Sequence, residues 1–155
     1  MDEKFLQRSL ELARQGSQDG DGGPFGAVIV RNGEIIAEAW NQVVKTHDPT
    51  AHAEIVAIRQ ACSLLGRFHL DGCVLYASSE PCPMCLSAAY WARVERIVFA
   101  NSRDQAAAIG FCDDELYCEL RLPHEWRSVP SLHLPLPGAD QPLLDWLQRE
   151  DRVHY

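Results

Sequence analysis

Lysine is almost missing from this sequence. Only Lys4 and Lys45 occur, arginine supplies the other cations, and the net charge of the 155 residues is −8. An acidic, lysine-poor chain does not carry the electrostatic footprint of a general nucleic-acid binder. No apolar run is long enough to span a bilayer, and the opening Met1-Asp2-Glu3-Lys4-Phe5 lacks the cationic-then-apolar order of an export signal. Cytoplasmic residence is the expectation, with neither a membrane nor nucleic acid as partner. Internal repeats, low-complexity tracts and linkers are also missing, so one domain over 1–155 is expected.

Hydrophobic residues make up 46% and charged residues 23%, enough to build a core. The six cysteines therefore need not form a disulfide framework. Cys62, Cys73 and Cys118 read as small buried residues, and paired cysteines in a reducing compartment point to metal or redox chemistry.

Periodicity predicts an amphipathic helix over 4–15, with Gly16 and Gly20 breaking it. Ala27–Val30 and Ile35–Trp40 read as strands joined by Asn32-Gly33, a strong hairpin signal. A helix follows from a Thr50 N-cap to a Gly66 stop. Then come a strand at 73–77, a helix opened by Pro81-Cys82-Pro83, a strand at 96–100, a short helix within 103–109, an extended proline-bearing stretch over 123–137 and a last helix from Asp140-Gln141-Pro142. Alternating strands and helices imply an α/β fold, a sheet layered between helices.

Two segments carry the chemistry, His52-Ala53-Glu54 and Pro81-Cys82-Pro83-Met84-Cys85, each opening a predicted helix. Cys82 and Cys85 are three apart, so their thiols share one face of a first turn. There the free N–H groups and the helix dipole favour thiolate, the metal-binding form. With His52 they make three ligands and leave a fourth position open, the pattern of a catalytic zinc rather than a structural one. Zinc there would lower the pKa of a bound water from 15.7 toward about 7, giving a hydroxide nucleophile. Glu54 would move the protons. Each residue also has a plainer reading: Cys-x-x-Cys as a redox pair, His52 as a structural histidine, Glu54 as a first-turn acid. A fourth ligand from His47 or His69 would close the sphere and make the chain a zinc-stabilised binding module.

The motifs Asp48-Pro49-Thr50-Ala51-His52-Ala53-Glu54 and Glu80-Pro81-Cys82-Pro83-Met84-Cys85 resemble those of the cytidine and deoxycytidylate deaminase superfamily, whose zinc signature is H-x-E followed by P-C-x-x-C. Within it they are similar to the branch of bacterial guanine deaminases and tRNA adenosine deaminases. Gly22–Val30, Ala89–Arg93, the Gly110-Phe111-Cys112-Asp113-Asp114 loop and the terminal Tyr155 resemble the guanine deaminases.

The resemblance implies a three-layer α-β-α fold with a mixed central sheet, one zinc per subunit, and hydrolysis of guanine to xanthine and ammonia. It implies that Asn41, Phe25 and Ala53 contact the purine and that Asp113 assists proton transfer, with Asp114 its rival for that role. Tyr155 would close over the site, and the tail from about 120 to 155 would be exchanged within a homodimer. A tRNA adenosine deaminase, or a deaminase of guanosine or aminotriazines, is the alternative.

Overall fold

The computed structural model describes residues 2–155. The chain divides into two compact units, Met1–Asp113 and Asp114–Tyr155.

In the first unit, α1 (Asp2–Gln18) precedes a hairpin of β1 (Gly26–Arg31) and β2 (Glu34–Trp40). Asn32 and Gly33 both have positive φ, 52° and 81°, as a two-residue turn of the primed type requires. A single turn, α2 (Val43–Thr46), and the longer α3 (Ala53–Leu65) follow, then β3 (Cys73–Ser79), α4 (Pro83–Trp91), β4 (Arg96–Asn101) and α5 (Arg103–Ala107). The sheet order is β2-β1-β3-β4. β1 is antiparallel to both β2 and β3, and β3 is parallel to β4. The sheet is mixed, as the family resemblance implies.

Strand alternation sorts the core to two faces. Ala27, Ile29 and Leu75 pack with Ala53, Ala57 and Ala61 of α3 and Ala89 of α4. The i, i+4 alanines let α3 lie close to the sheet. Val28, Val30 and Tyr76 face the other way, onto Phe5 and Leu12 of α1. Helices on both faces give the three layers.

Two local expectations change, and one short helix is added. The first helix runs through Gly16 to Gln18 instead of stopping there. Gly16 is buried against Trp40, and a Cβ there would lie 2.2 Å from the indole Cδ1, so the glycine serves a close contact and not a break. The N-cap of α3 is His52, not Thr50. Thr50 instead donates its N–H and hydroxyl to Asp48 Oδ1, at 2.8 and 2.7 Å, in a turn that precedes the helix. The helix α2 has too few residues to show a period.

The second unit holds α6 (Asp114–Glu119), a 3-10 turn at His124–Trp126 and α7 (Gln141–Gln148). Its extended part is tied locally. Arg127 Nε donates to the carbonyls of Glu119 and Leu122, and Ser128 N–H donates to Glu119 Oε2 at 2.8 Å. Leu132, Leu134, Leu136, Leu143 and Leu147 are exposed.

Candidate metal centre

Strand register brings the site together at one end of the sheet. Gly26 pairs with Trp40, Ala27 with Ala77 and Ser79 with Asn101. The start of β1 and the ends of β2, β3 and β4 therefore share an edge. Phe25 precedes that edge, Asn41 leaves it after β2, Cys82 follows β3, and Arg103 follows β4. The last three lie just past the carboxyl ends of their strands, where open α/β sheets bind ligands.

His52 and Cys82 are the N-caps of α3 and α4, both with extended backbone (ψ 154° and 168°), and Pro83 opens α4 where its missing N–H has no partner to lose. The Gln42 N–H bonds the Ala51 carbonyl at 2.9 Å, tying the exit of β2 to the His52 loop. His52 Nδ1 faces both sulfurs, 3.6 Å from Cys82 Sγ and 3.5 Å from Cys85 Sγ. All three ligand atoms lie within 4.8 Å of one another.

That spacing fits zinc. Ligands at about 2.3 Å (sulfur) and about 2.05 Å (nitrogen) from a tetrahedral centre sit about 3.6 Å apart. Two thiolates and a neutral imidazole also cancel the ion's charge, which suits a half-buried position. Neither His47 nor His69 joins this group among the described residues, so no fourth protein ligand closes it.

The two cysteines share a single proton. Cys82 is held well below the ordinary thiol range, first by the Cys85 thiol that donates to it and then by His52. Cys85 is pushed far upward because it keeps the shared proton. The Cys82 thiolate raises His52. Glu54, 8% exposed, is driven up by burial, with Cys82, His52 and Cys85 all acting on its carboxyl. A carboxyl that burial moves toward neutrality is suited to both taking and giving a proton.

The remaining expected residues are placed less uniformly. Ala53 is fully buried as the first residue of α3. Asn41 is 4% exposed, its N–H bonded to the Phe25 carbonyl at 2.9 Å and its Oδ1 accepting the Val43 N–H at 3.1 Å. Phe25 is half-buried and meets Phe111 edge-on at 4.9 Å between centroids. Asp113 is half-buried with Arg103 Nε 3.9 Å from its Oδ1, whereas Asp114 is exposed as the first residue of α6. Tyr155 is exposed at the end of the second unit.

Sequence reading assigns Phe111 no role beyond its place in the Gly110–Asp114 loop, and assigns Asp21 none. The Phe111 ring packs on Phe25, and Gly23 lies so near both that a Cβ would come within 2.9 Å of Phe111 Cζ. Asp21 is a buried carboxylate in what reads as a glycine turn. Neither belongs to a periodic pattern, and their partners are distant in sequence.

Residues 1–101 match the family model described as the cytidine and deoxycytidylate deaminase zinc-binding region. The chain belongs to this family. It is 47% identical over 153 residues to the guanine deaminase of Bacillus subtilis (strain 168), covering 99% of this chain and 98% of that one. A crystal structure of B. subtilis guanine deaminase superposes with a TM-score of 0.97 at 47% identity, over 99% and 98% of the two chains. A tRNA-specific adenosine deaminase of Aquifex aeolicus is 45% identical over 98 residues, but that likeness reaches 63% of this deaminase and 64% of its relative. This deaminase-family chain is thus similar to the guanine deaminase through its tail, and to the tRNA enzyme over about two thirds of its length.

Proposed function

We propose that this chain catalyses the hydrolytic deamination of guanine, converting guanine and water to xanthine and ammonia. The observation that carries this reading is full-length similarity to a guanine deaminase, where similarity to tRNA-specific adenosine deaminases covers 63 to 73% of the chain.

His52, Cys82 and Cys85 hold zinc in this reading, supported by their mutual spacing and the charge balance of the donor set. When bound, zinc lowers the pKa of a water from 15.7 toward about 7. Glu54 takes one proton from the attacking water and delivers it to a ring nitrogen as the carbon–oxygen bond forms. It then takes the second proton from that new hydroxyl and gives it to the amine, so that the carbon–nitrogen bond breaks and ammonia leaves. Burial supports that role by lowering the cost of the neutral carboxylic acid. Asn41 binds the purine, Phe25 packs on its ring, and Ala53 lies against it at the start of α3. Asp113 assists proton transfer at the amino group; its half-buried position beside Arg103, where Asp114 is exposed, supports it over Asp114.

The working assembly is a cytoplasmic homodimer serving purine catabolism, with the 120–155 tail exchanged so that Tyr155 closes the partner's site. The exposed leucines of that tail support it, since a monomer leaves them in water.

The test is a substrate panel. Purified zinc-loaded protein given guanine, guanosine, an aminotriazine and tRNA should release ammonia from guanine and yield xanthine. Absence of xanthine at excess enzyme overturns the reading, and inosine formation in tRNA replaces it with the alternative. Mixing two inactive variants, Glu54→Ala and Tyr155→Ala, should restore part of the activity if the tail is exchanged.

A further inference from the structure

The zinc ligands and Glu54 leave one buried carboxylate of this unit without a role. Asp21 lies just before β1, 9% exposed. Its Oδ2 accepts the Trp40 indole N–H at 2.7 Å and the Lys45 ammonium at 2.9 Å. Its backbone carbonyl accepts the N–H groups of Val44 and Lys45 at 3.1 and 3.0 Å. One residue thus receives four hydrogen bonds, from the end of β2 and from the turn α2. Between those two attachment points the chain holds Asn41.

Asn41 is confined from two further sides. Its Oδ1 is engaged by the Val43 N–H, which leaves the Nδ2 hydrogens as the donors an acceptor on a ligand would meet. Gly22, the residue after Asp21, presses on the amide. A Cβ at Gly22 would stand 2.1 Å from Asn41 Oδ1, 2.9 Å from its Cγ and 2.7 Å from its carbonyl oxygen. No side chain fits there, so the backbone of 21–22 is the wall that the Asn41 side chain rests against. The Asp21 carboxylate keeps that wall in register with Trp40 and Lys45 on either side of the asparagine.

We propose that Asp21 is a positioning residue which, through Gly22 and the 40–45 segment, sets the orientation in which the Asn41 amide meets the substrate. This rests on the reading of Asn41 as a purine contact. Asp21 accepts its hydrogen bonds from Trp40, Val44 and Lys45, and none from His52, Cys82 or Cys85. Its loss should therefore be felt in substrate binding and not in zinc content or in the chemical step.

The experiment is a double-mutant cycle on the zinc-loaded enzyme with guanine, reading KM, kcat and zinc content. Asn41→Ala should raise KM. Asp21→Ala should raise it about tenfold, with kcat changed less and zinc unaltered. In the Asn41→Ala background, Asp21→Ala should add less than about twofold, because the group it orients is gone. Gly22→Ala leaves the Asp21 side chain unaltered but intrudes on the Asn41 amide, so it should raise KM as well; it serves where Asp21→Ala fails to fold. An unchanged KM in Asp21→Ala or Gly22→Ala, while Asn41→Ala raises it, overturns the positioning role. So do single effects that simply multiply in the double variant. An unchanged KM in Asn41→Ala overturns the substrate contact itself, and the positioning role with it.

Discussion

His52 Nδ1 and Cys85 Sγ lie 3.5 Å apart although 33 residues separate them in the chain. That is the edge of a zinc-sized tetrahedron, and Cys82 supplies a second such edge at 3.6 Å. Replacing Cys85 with serine, or His52 with alanine, should abolish stoichiometric zinc. Removing an outer partner of a metal ligand costs roughly 10–100-fold in affinity, and losing a ligand should exceed that. Elemental analysis and chelator competition measure it; zinc retained in both variants would exclude these residues as ligands.

Glu54 sits beside His52, Cys82 and Cys85 but outside the metal-sized cluster they form. Glu54→Gln should keep zinc while losing at least the roughly 10²–10⁴-fold that general acid–base catalysis contributes. Xanthine formation with zinc assayed in the same samples checks this. A variant with near-normal kcat would move the proton shuttle to another group.

Tyr76 donates its hydroxyl to Asp2 Oδ1 at 2.7 Å, and burial followed by that bond pushes its pKa up to about 12. The folded value exceeds the unfolded one, about 10. The associated stability is therefore fully present below pH ~10 and is lost as pH rises through about 12. A tyrosinate absorbance titration should show a step near pH 12 that Tyr76→Phe deletes.

Arg8 clamps Glu38 with two bonds of 2.8 Å, joining α1 to β2. The Arg8 guanidinium holds the Glu38 carboxyl below its usual range. A depressed folded pKa means the pair stabilises above the unfolded value, about 4.3, and stops doing so as pH falls through the folded one. Both side chains are about a third exposed, so solvent screening limits the effect to about 1 kcal/mol. Glu38→Gln should lower Tm slightly at pH 7, with the difference from the parent vanishing in acid.

Much of this was legible because it is local. Asn32-Gly33 dictates its turn, Pro83 its helix start, and Cys82 and Cys85 share a face by helical geometry alone. Gly16 misled because its purpose is a contact with Trp40, which local pattern does not encode. Thr50 has the chemistry of an N-cap, yet Asp48 accepts both of its donors first. Asp21 was invisible for the same reason as Gly16: Trp40 and Lys45 lie 19 and 24 residues away.

The sequence by itself determined which atoms could hold a metal, since side-chain identity and a three-residue spacing on a helix turn are fixed before folding. Tertiary structure decided that the His52 and Cys82 loops meet at all. Pairing β3 with β1 brings the start of α4 toward α3, and the site needs that long-range register. It also decided what surrounds the ligands, from the burial that raises Glu54 to the wall of Gly22 against Asn41. Such features depend on chain segments distant in sequence, whose approach is set by sheet pairing and core packing rather than by local preference.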